Sequence, residues 1–305
     1  MNSLEFILPT LSKEELSKIK KEKLALVLLD EDIKEMMAYY NLDEKFISDN
    51  IYYFYEFLKD KELCKECRDA SSCKKKGCHL SISLKIDKYK KVSFAFSKCR
   101  YQIEIDQLKK KYLYKQFDDE IFNYKLSSCL NYYAVERAPI IKNMIEYRKN
   151  PNSKGMYIFG SPETGKSFIL SVFSVYLAKS TDTKEISYID CSSFIKTLEN
   201  NFKEDINYFT FVIDELKKSQ YLFLDDLGKE YKNEFSLFNV LLPILEHRKE
   251  NNLATFISSS YSVNELKMAY SKVSNGYKGA LLLEKNLNES MVPLKLSGLK
   301  YSVLR

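Results

Sequence analysis

The stretch Gly160-Ser161-Pro162-Glu163-Thr164-Gly165-Lys166-Ser167 constrains this chain more than any other. It fits G-x-x-x-x-G-K-[ST] at every fixed position, follows the apolar run Met156–Phe159 and opens a segment of helical periodicity. Its glycines let successive N–H groups curl around a phosphate, and the helix start beyond them favours negative charge. In such a loop Lys166 reaches the β- and γ-phosphates and Ser167 ligates Mg²⁺, so ATP and Mg²⁺ are the expected cofactors. A plain glycine turn before a helix is the alternative, and the order of strand, loop and helix argues against it.

A phosphate loop of this kind needs a carboxylate at the end of a neighbouring strand. Tyr221-Leu222-Phe223-Leu224-Asp225-Asp226 supplies one about sixty residues downstream. Asp225 is expected to hold the Mg²⁺ shell and Asp226 to orient the attacking water. The pair Asp214-Glu215 leads into Lys217-Lys218 and reads as helix surface. After the run Ala254–Ile257, Ser260 is the candidate for a polar group that senses the γ-phosphate. Five short apolar runs, at 156–159, 186–189, 221–224, 254–257 and 292–296, alternate with helical stretches, which predicts a parallel sheet flanked by helices.

The N-terminal part differs in kind. Residues 12–58 have helical spacing, with a capping-box start from Ser12 to Glu15 and a second helix over 43–58, while 82–105 alternates as strands through Ile103 and Ile105. Four of the seven cysteines, Cys64, Cys67, Cys73 and Cys78, lie between these regions, and a fifth, Cys99, falls in the second. Cys64-x-x-Cys67 has zinc-knuckle spacing, and His79 and Cys99 complete a set of four Zn²⁺ ligands, with Cys73 and Cys78 open as alternatives for the third. Net charge by segment is −5 over 1–60, +7 over 61–120 and +4 over 121–305. The basic excess thus surrounds the cysteines, as a polyanion partner or a solvated lysine face would require. No apolar run approaches the ~18 residues of a membrane span. The N-terminus has no basic residue before Lys13, so no membrane contact is expected and the location is expected to be cytoplasmic.

The order of helical N-terminus, Cys64-x-x-Cys67, Gly77-Cys78-His79, Cys99, linker and ATPase signature resembles the bacterial replicative helicase loaders of the DnaI type, AAA+ ATPases of the DnaC/DnaI class. Leu224-Asp225-Asp226-Leu227-Gly228 looks like the family's Walker B segment, with Asp in its second acidic position. Leu245-Glu246-His247-Arg248 and Tyr261-Ser262-Val263-Asn264-Glu265-Leu266 are similar to passages flanking its sensor strand. The resemblance implies zinc held by Cys64, Cys67, His79 and Cys99, an N-terminal domain that docks on the hexameric replicative helicase, and an ATPase domain that binds nucleotide and single-stranded DNA. Lys285 stands where the family carries a trans-acting arginine, so self-association through the ATPase domain is also implied. Ser260 replaces the family's usual asparagine, and Gly298-Leu299-Lys300-Tyr301 replaces its double arginine; both departures point to weak hydrolysis.

At 305 residues the chain has room for about two domains. The expectation is an α/β protein: an AAA+ P-loop ATPase domain with a parallel sheet over 131–305, preceded by a small helical plus β zinc-binding domain over 1–105 that grips the helicase, with a linker over 106–130. The expected activity is ATP-dependent loading of the helicase onto single-stranded DNA. Two alternatives are a nucleotide-switched adaptor without significant hydrolysis and a transposition-type AAA+ regulator. Tyr52, Tyr53 and Tyr55 form a candidate docking face, and Lys74, Lys75 and Lys76 a candidate DNA contact.

Overall fold

Aspartates set two of the helix starts of the N-terminal region. Helix α1 (Lys13–Leu29) gives way to α2 (Glu31–Tyr40) at Asp30, whose carboxylate accepts the N–H groups of Asp32 and Ile33. Asp43 does the same for Phe46 at 2.8 Å and starts α3 (Glu44–Asp49), followed by α4 (Ile51–Lys65). The single helix expected over 43–58 is therefore two. Asn50 breaks it by turning its side-chain amide back onto the Phe46 carbonyl, a local bond that competes with continuous helix. A hairpin of β1 (Leu80–Ile86) and β2 (Val92–Lys98) follows. Val27, Ile33, Leu42, Ile47, Phe54 and Val92 form the shared core.

The computed structural model describes residues 13–67, 73–75, 80–151, 154–180 and 182–298, and the chain divides into two compact units, Met1–Glu104 and Ile105–Arg305. The capping start at Ser12 lies outside the described residues. The alternation through Ile103 and Ile105 does not make a third strand. It lies in α5 (Arg100–Lys109), where Ile105 and Leu108, three apart, are the buried positions.

The second unit is built on a six-stranded parallel sheet in the order β3-β5-β6-β7-β4-β8. Its strands are β3 (Tyr112–Lys115), β4 (Gly155–Phe159), β5 (Ile186–Asp190), β6 (Tyr221–Leu227), β7 (Thr255–Ser259) and β8 (Met291–Lys295). All five expected apolar runs become strands. Side chains alternate across the sheet. Tyr188, Phe223 and Phe256 stack with Phe173 of α7 (Lys166–Ala178) on one face. Ile189, Leu222, Leu224 and Ile257 join the core on the other face, with α8 (Cys191–Glu204), α9 (Ile206–Lys218), α10 (Leu242–Glu250) and α12 (Gly276–Ser290). Helix α6 (Ala134–Lys149) leads into β4, and α11 (Val263–Tyr270) follows β7. A π-helix over Phe235–Leu241 runs directly into α10, whose second residue is Pro243.

The linker expected over 106–130 belongs to this unit. Strand β3 extends the sheet beside β5, and short 3₁₀ turns at Asp119–Asn123 and Leu126–Leu130 bury Phe122, Leu126 and Cys129. The charges that suggest a linker are satisfied by structure. Lys111 caps α7 through the Ala178 and Ser180 carbonyls at 2.8 and 2.7 Å, and Lys109 and Lys115 both pair with Asp119. Among the described residues no helix is long and apolar enough to cross a membrane.

Candidate nucleotide site

Strand β4 runs into Gly160, and α7 starts at Lys166 with Gly165 before it in the left-handed region at φ 91°. Gly165 has a second reason to be glycine: a Cβ there would come within 2.6 Å of an Arg137 guanidinium nitrogen. Glu163 also lies in the left-handed region, at φ 65°, and Thr164 Oγ1 braces the loop on the Ser161 carbonyl at 3.0 Å. Lys166 is buried, and its Nζ donates to the Gly160 and Ser161 carbonyls at 3.0 and 2.7 Å. Burial lowers its pKa, and the Asp226 and Asp225 carboxylates oppose that shift.

The two acids at the end of β6 have different surroundings. Asp225 is buried and its carboxylate accepts the Ser258 hydroxyl, while the Tyr188 hydroxyl donates to the Ser167 carbonyl at 3.3 Å. Burial holds the Asp225 pKa above the ordinary value, and the Ser258 hydrogen bond limits the rise. The pairing of β6 with β7 slips between Leu224 and Leu227, and Asp226 takes φ 54°. That left-handed turn, tolerated by aspartate, directs the second acid away from the strand. The Asp226 N–H donates to Ser258 Oγ at 2.9 Å, and its carboxylate pairs with Lys229 at 3.1 Å.

Ser258 thus ties both acids to β7, and motif spacing alone does not reveal it. The available signal is period two along β7: Phe256 and Ser258 share a face, and Phe256 meets α7. Ser260, the expected sensor, is exposed just past the end of β7 and lines the same pocket as Lys166, Ser167 and Asp226. That pocket holds about 1170 Å³. Pro162, Glu163 and Gly165 also line it. Much of its remaining wall comes from the expected linker and the turn after it, through Ile121, Tyr124 and Tyr132. Lys285 does not join it and is exposed on α12. Asp214 pairs with Lys217 on α9 at 3.5 Å, a helix-surface role.

In the first unit, Cys64 closes a turn whose carbonyl accepts the Cys67 N–H at 3.1 Å. Burial raises the Cys73 thiol pKa, and its Sγ donates to the Lys75 carbonyl at 3.7 Å. Among the described residues, however, no group of three or more His, Cys, Asp or Glu is placed to hold a metal ion. The expected ligand His79 and the alternative Cys78 lie outside the described residues. The basic triplet is largely neutralised: Lys75 pairs with Asp60 at 2.6 Å and Lys74 with Glu66 at 2.8 Å, while Lys76 lies outside the described residues. Of the tyrosines expected on a docking face, Tyr52 is exposed, whereas Tyr53 and Tyr55 pack against the core.

A parallel sheet with the phosphate-loop strand between β7 and β8, and paired acids ending β6, defines the class: an α/β protein of P-loop fold, similar to AAA+ domains. No family model matches the chain. It is 24% identical over 292 residues to the replicative helicase loader DnaI of Bacillus subtilis (strain 168), a match that covers 89% of each protein. A crystal structure of DnaI is 23% identical with a TM-score of 0.52, covering 61% of this chain and 98% of that one. A candidate primosome component from Streptococcus pyogenes serotype M3 is 19% identical with a TM-score of 0.50, covering 64% and 97%. The two solved structures share the fold. The resemblance to the DnaI-type loaders holds along nearly the whole chain.

Proposed function

We propose that this protein is an ATP-dependent loader that places a hexameric replicative helicase on single-stranded DNA. The observation that carries the reading is the convergence of Lys166, Ser167, Asp225 and Asp226 in a chain similar to a replicative helicase loader over 89% of its length. The donor set fits MgATP. Ser167 at the start of α7 and Asp225 at the end of β6 offer hard oxygens, the kind of ligand Mg²⁺ takes. Bound MgATP supplies the reactive γ-phosphate and the cation that offsets its charge.

The chain's own residues do the rest. Lys166 exchanges the Gly160 and Ser161 carbonyls for phosphate oxygens, and the N–H groups of 160–167 hold the phosphates at the start of α7. Asp226 orients the attacking water once Lys229 releases its carboxylate. Ser260 reports the γ-phosphate, and Lys285 acts on the site of a neighbouring copy. Cys64, Cys67, His79 and Cys99 would hold a structural zinc, which would supply a cross-link within the N-terminal unit, and that unit docks on the helicase. The Lys229 ion pair on Asp226 favours a second reading, an adaptor that binds ATP as a switch with little hydrolysis.

Retention of the helicase by wild-type protein and by Lys166→Ala, each with and without ATP, tests the reading. Wild-type protein should retain helicase and release or remodel it with ATP, whereas the variant should respond to no nucleotide. Protein that never retains helicase would refute the loader. ATP turnover with single-stranded DNA separates the loader from the adaptor.

A further inference from the structure

Arg137 on α6 is only 2% exposed, yet its partners are backbone carbonyls. Nη1 donates to Cys129 O at 3.1 Å and Nη2 to Thr164 O at 2.9 Å. Its Nε is buried and has no partner among the described residues. The first carbonyl belongs to the 3₁₀ turn at Leu126–Leu130, beside pocket-lining Ser128, and the second lies in the phosphate loop itself. The guanidinium also occupies the space a Gly165 side chain would fill.

We infer that Arg137 is a positioning residue for phosphate binding: its planar fork locks the phosphate loop to the pocket wall that faces the rest of the nucleotide. The inference rests on the nucleotide reading of the pocket. Two arguments carry it. A loop that binds anions through N–H groups must keep its carbonyls turned away from the phosphates. The guanidinium holds the Thr164 carbonyl, next to the capping glycine, in that orientation. A buried cation whose partners are neutral dipoles is also poorly compensated, and a polyphosphate drawn onto the other side of the loop supplies the missing negative charge. A lysine keeps the charge but is a point donor that does not bridge two segments as a fork does.

The test compares ATP affinity in the full-length wild type, Arg137→Lys, Arg137→Ala and Lys166→Ala, with melting transitions recorded for each. Arg137→Lys should melt cooperatively near wild type while ATP affinity falls about tenfold to a hundredfold, the loss expected for a charge-assisted hydrogen bond. Arg137→Ala should lose as much and regain it on addition of guanidinium ion, but not of sodium at equal ionic strength. A merely structural strut gives no such rescue. Wild-type affinity in Arg137→Lys, an unfolded Arg137→Lys, or no effect of guanidinium on Arg137→Ala would each overturn the proposal. Wild-type protein that binds no ATP would instead remove the nucleotide reading, and the Lys166→Ala control tells that failure apart.

Discussion

Ser258 links the two acids through one oxygen, donating to Asp225 and accepting from the Asp226 N–H. Ser258→Ala should therefore cost about 1–3 kcal/mol of stability, measured by denaturant unfolding, because two buried groups lose a partner. Asp225 adds a pH dependence. Its pKa is raised, mainly by burial, so on acidification it takes up its proton at a higher pH than an ordinary carboxylate does. The neutral form is the one burial favours, so its relative contribution to the stability of the metal-free protein is present at low pH and is lost as pH rises through the folded pKa. Mg²⁺ needs the ionised form. The Mg²⁺-dependent part of ATP affinity should then fade on acidification before ordinary carboxylates protonate, and Asp225→Asn should remove both the fade and the Mg²⁺ benefit in the same titrations. The sequence brings Lys166, Ser167, Asp225 and Asp226 into view as candidates because backbone geometry fixes their spacing. It does not point to Ser258 or Arg137, whose contacts arise only where β7 and α6 pass the loop.

At the scale of elements, Arg248 shows how α9, α10 and β7 are joined. It is buried at the end of α10, and its guanidinium donates to the carbonyls of Leu216, Lys217 and Ser219 around the end of α9, to Ala254 O and to Thr255 Oγ1. Burial pushes its pKa down to about 9. Arg248→Met should destabilise by about 3 kcal/mol or more, since it strands several buried acceptors at once; a shift of the unfolding midpoint too small for that would show that water replaces the fork. The five apolar runs were legible as strands because both faces of a parallel sheet are buried and leave a nearly continuous apolar run. Strand β3 escaped notice because it is four residues long and surrounded by lysines that cap α7 or pair with Asp119. Segment 103–105 was misread because two isoleucines two apart fit a strand locally, and only Leu108 reveals the helical spacing.

Across the whole molecule, the place where the second unit begins carries a direct prediction. A fragment starting at residue 105 should fold and bind ATP, whereas one starting at 131 lacks β3, the 3₁₀ turns and the Ile121–Tyr124 wall, and should melt earlier and bind more weakly. Equal melting and affinity in the two fragments would contradict the observed sheet. For the first unit, metal analysis should find one zinc per chain, lost in Cys64→Ser and kept in Cys73→Ser, with chelation lowering the helical signal of fragment 1–104. The two-part organisation could be read from the contrast between a cysteine-bearing helical region and an alternating one. The position of the join could not, because charge runs look alike in linkers and in capped turns.

The sheet's two borders have a further consequence. At one, β3 is only four residues long. At the other, Leu296 donates its N–H to Phe159 in β4, so even-numbered residues of β8 face inward and Pro293 faces outward, where it presents no donor. Neither border offers a full ladder to an added strand. Copies of this unit at high local concentration are thus protected from edge-to-edge polymerisation, and an ordered assembly of it would be written in side chains, which can be tuned residue by residue, and not in a backbone seam that would accept any extended peptide.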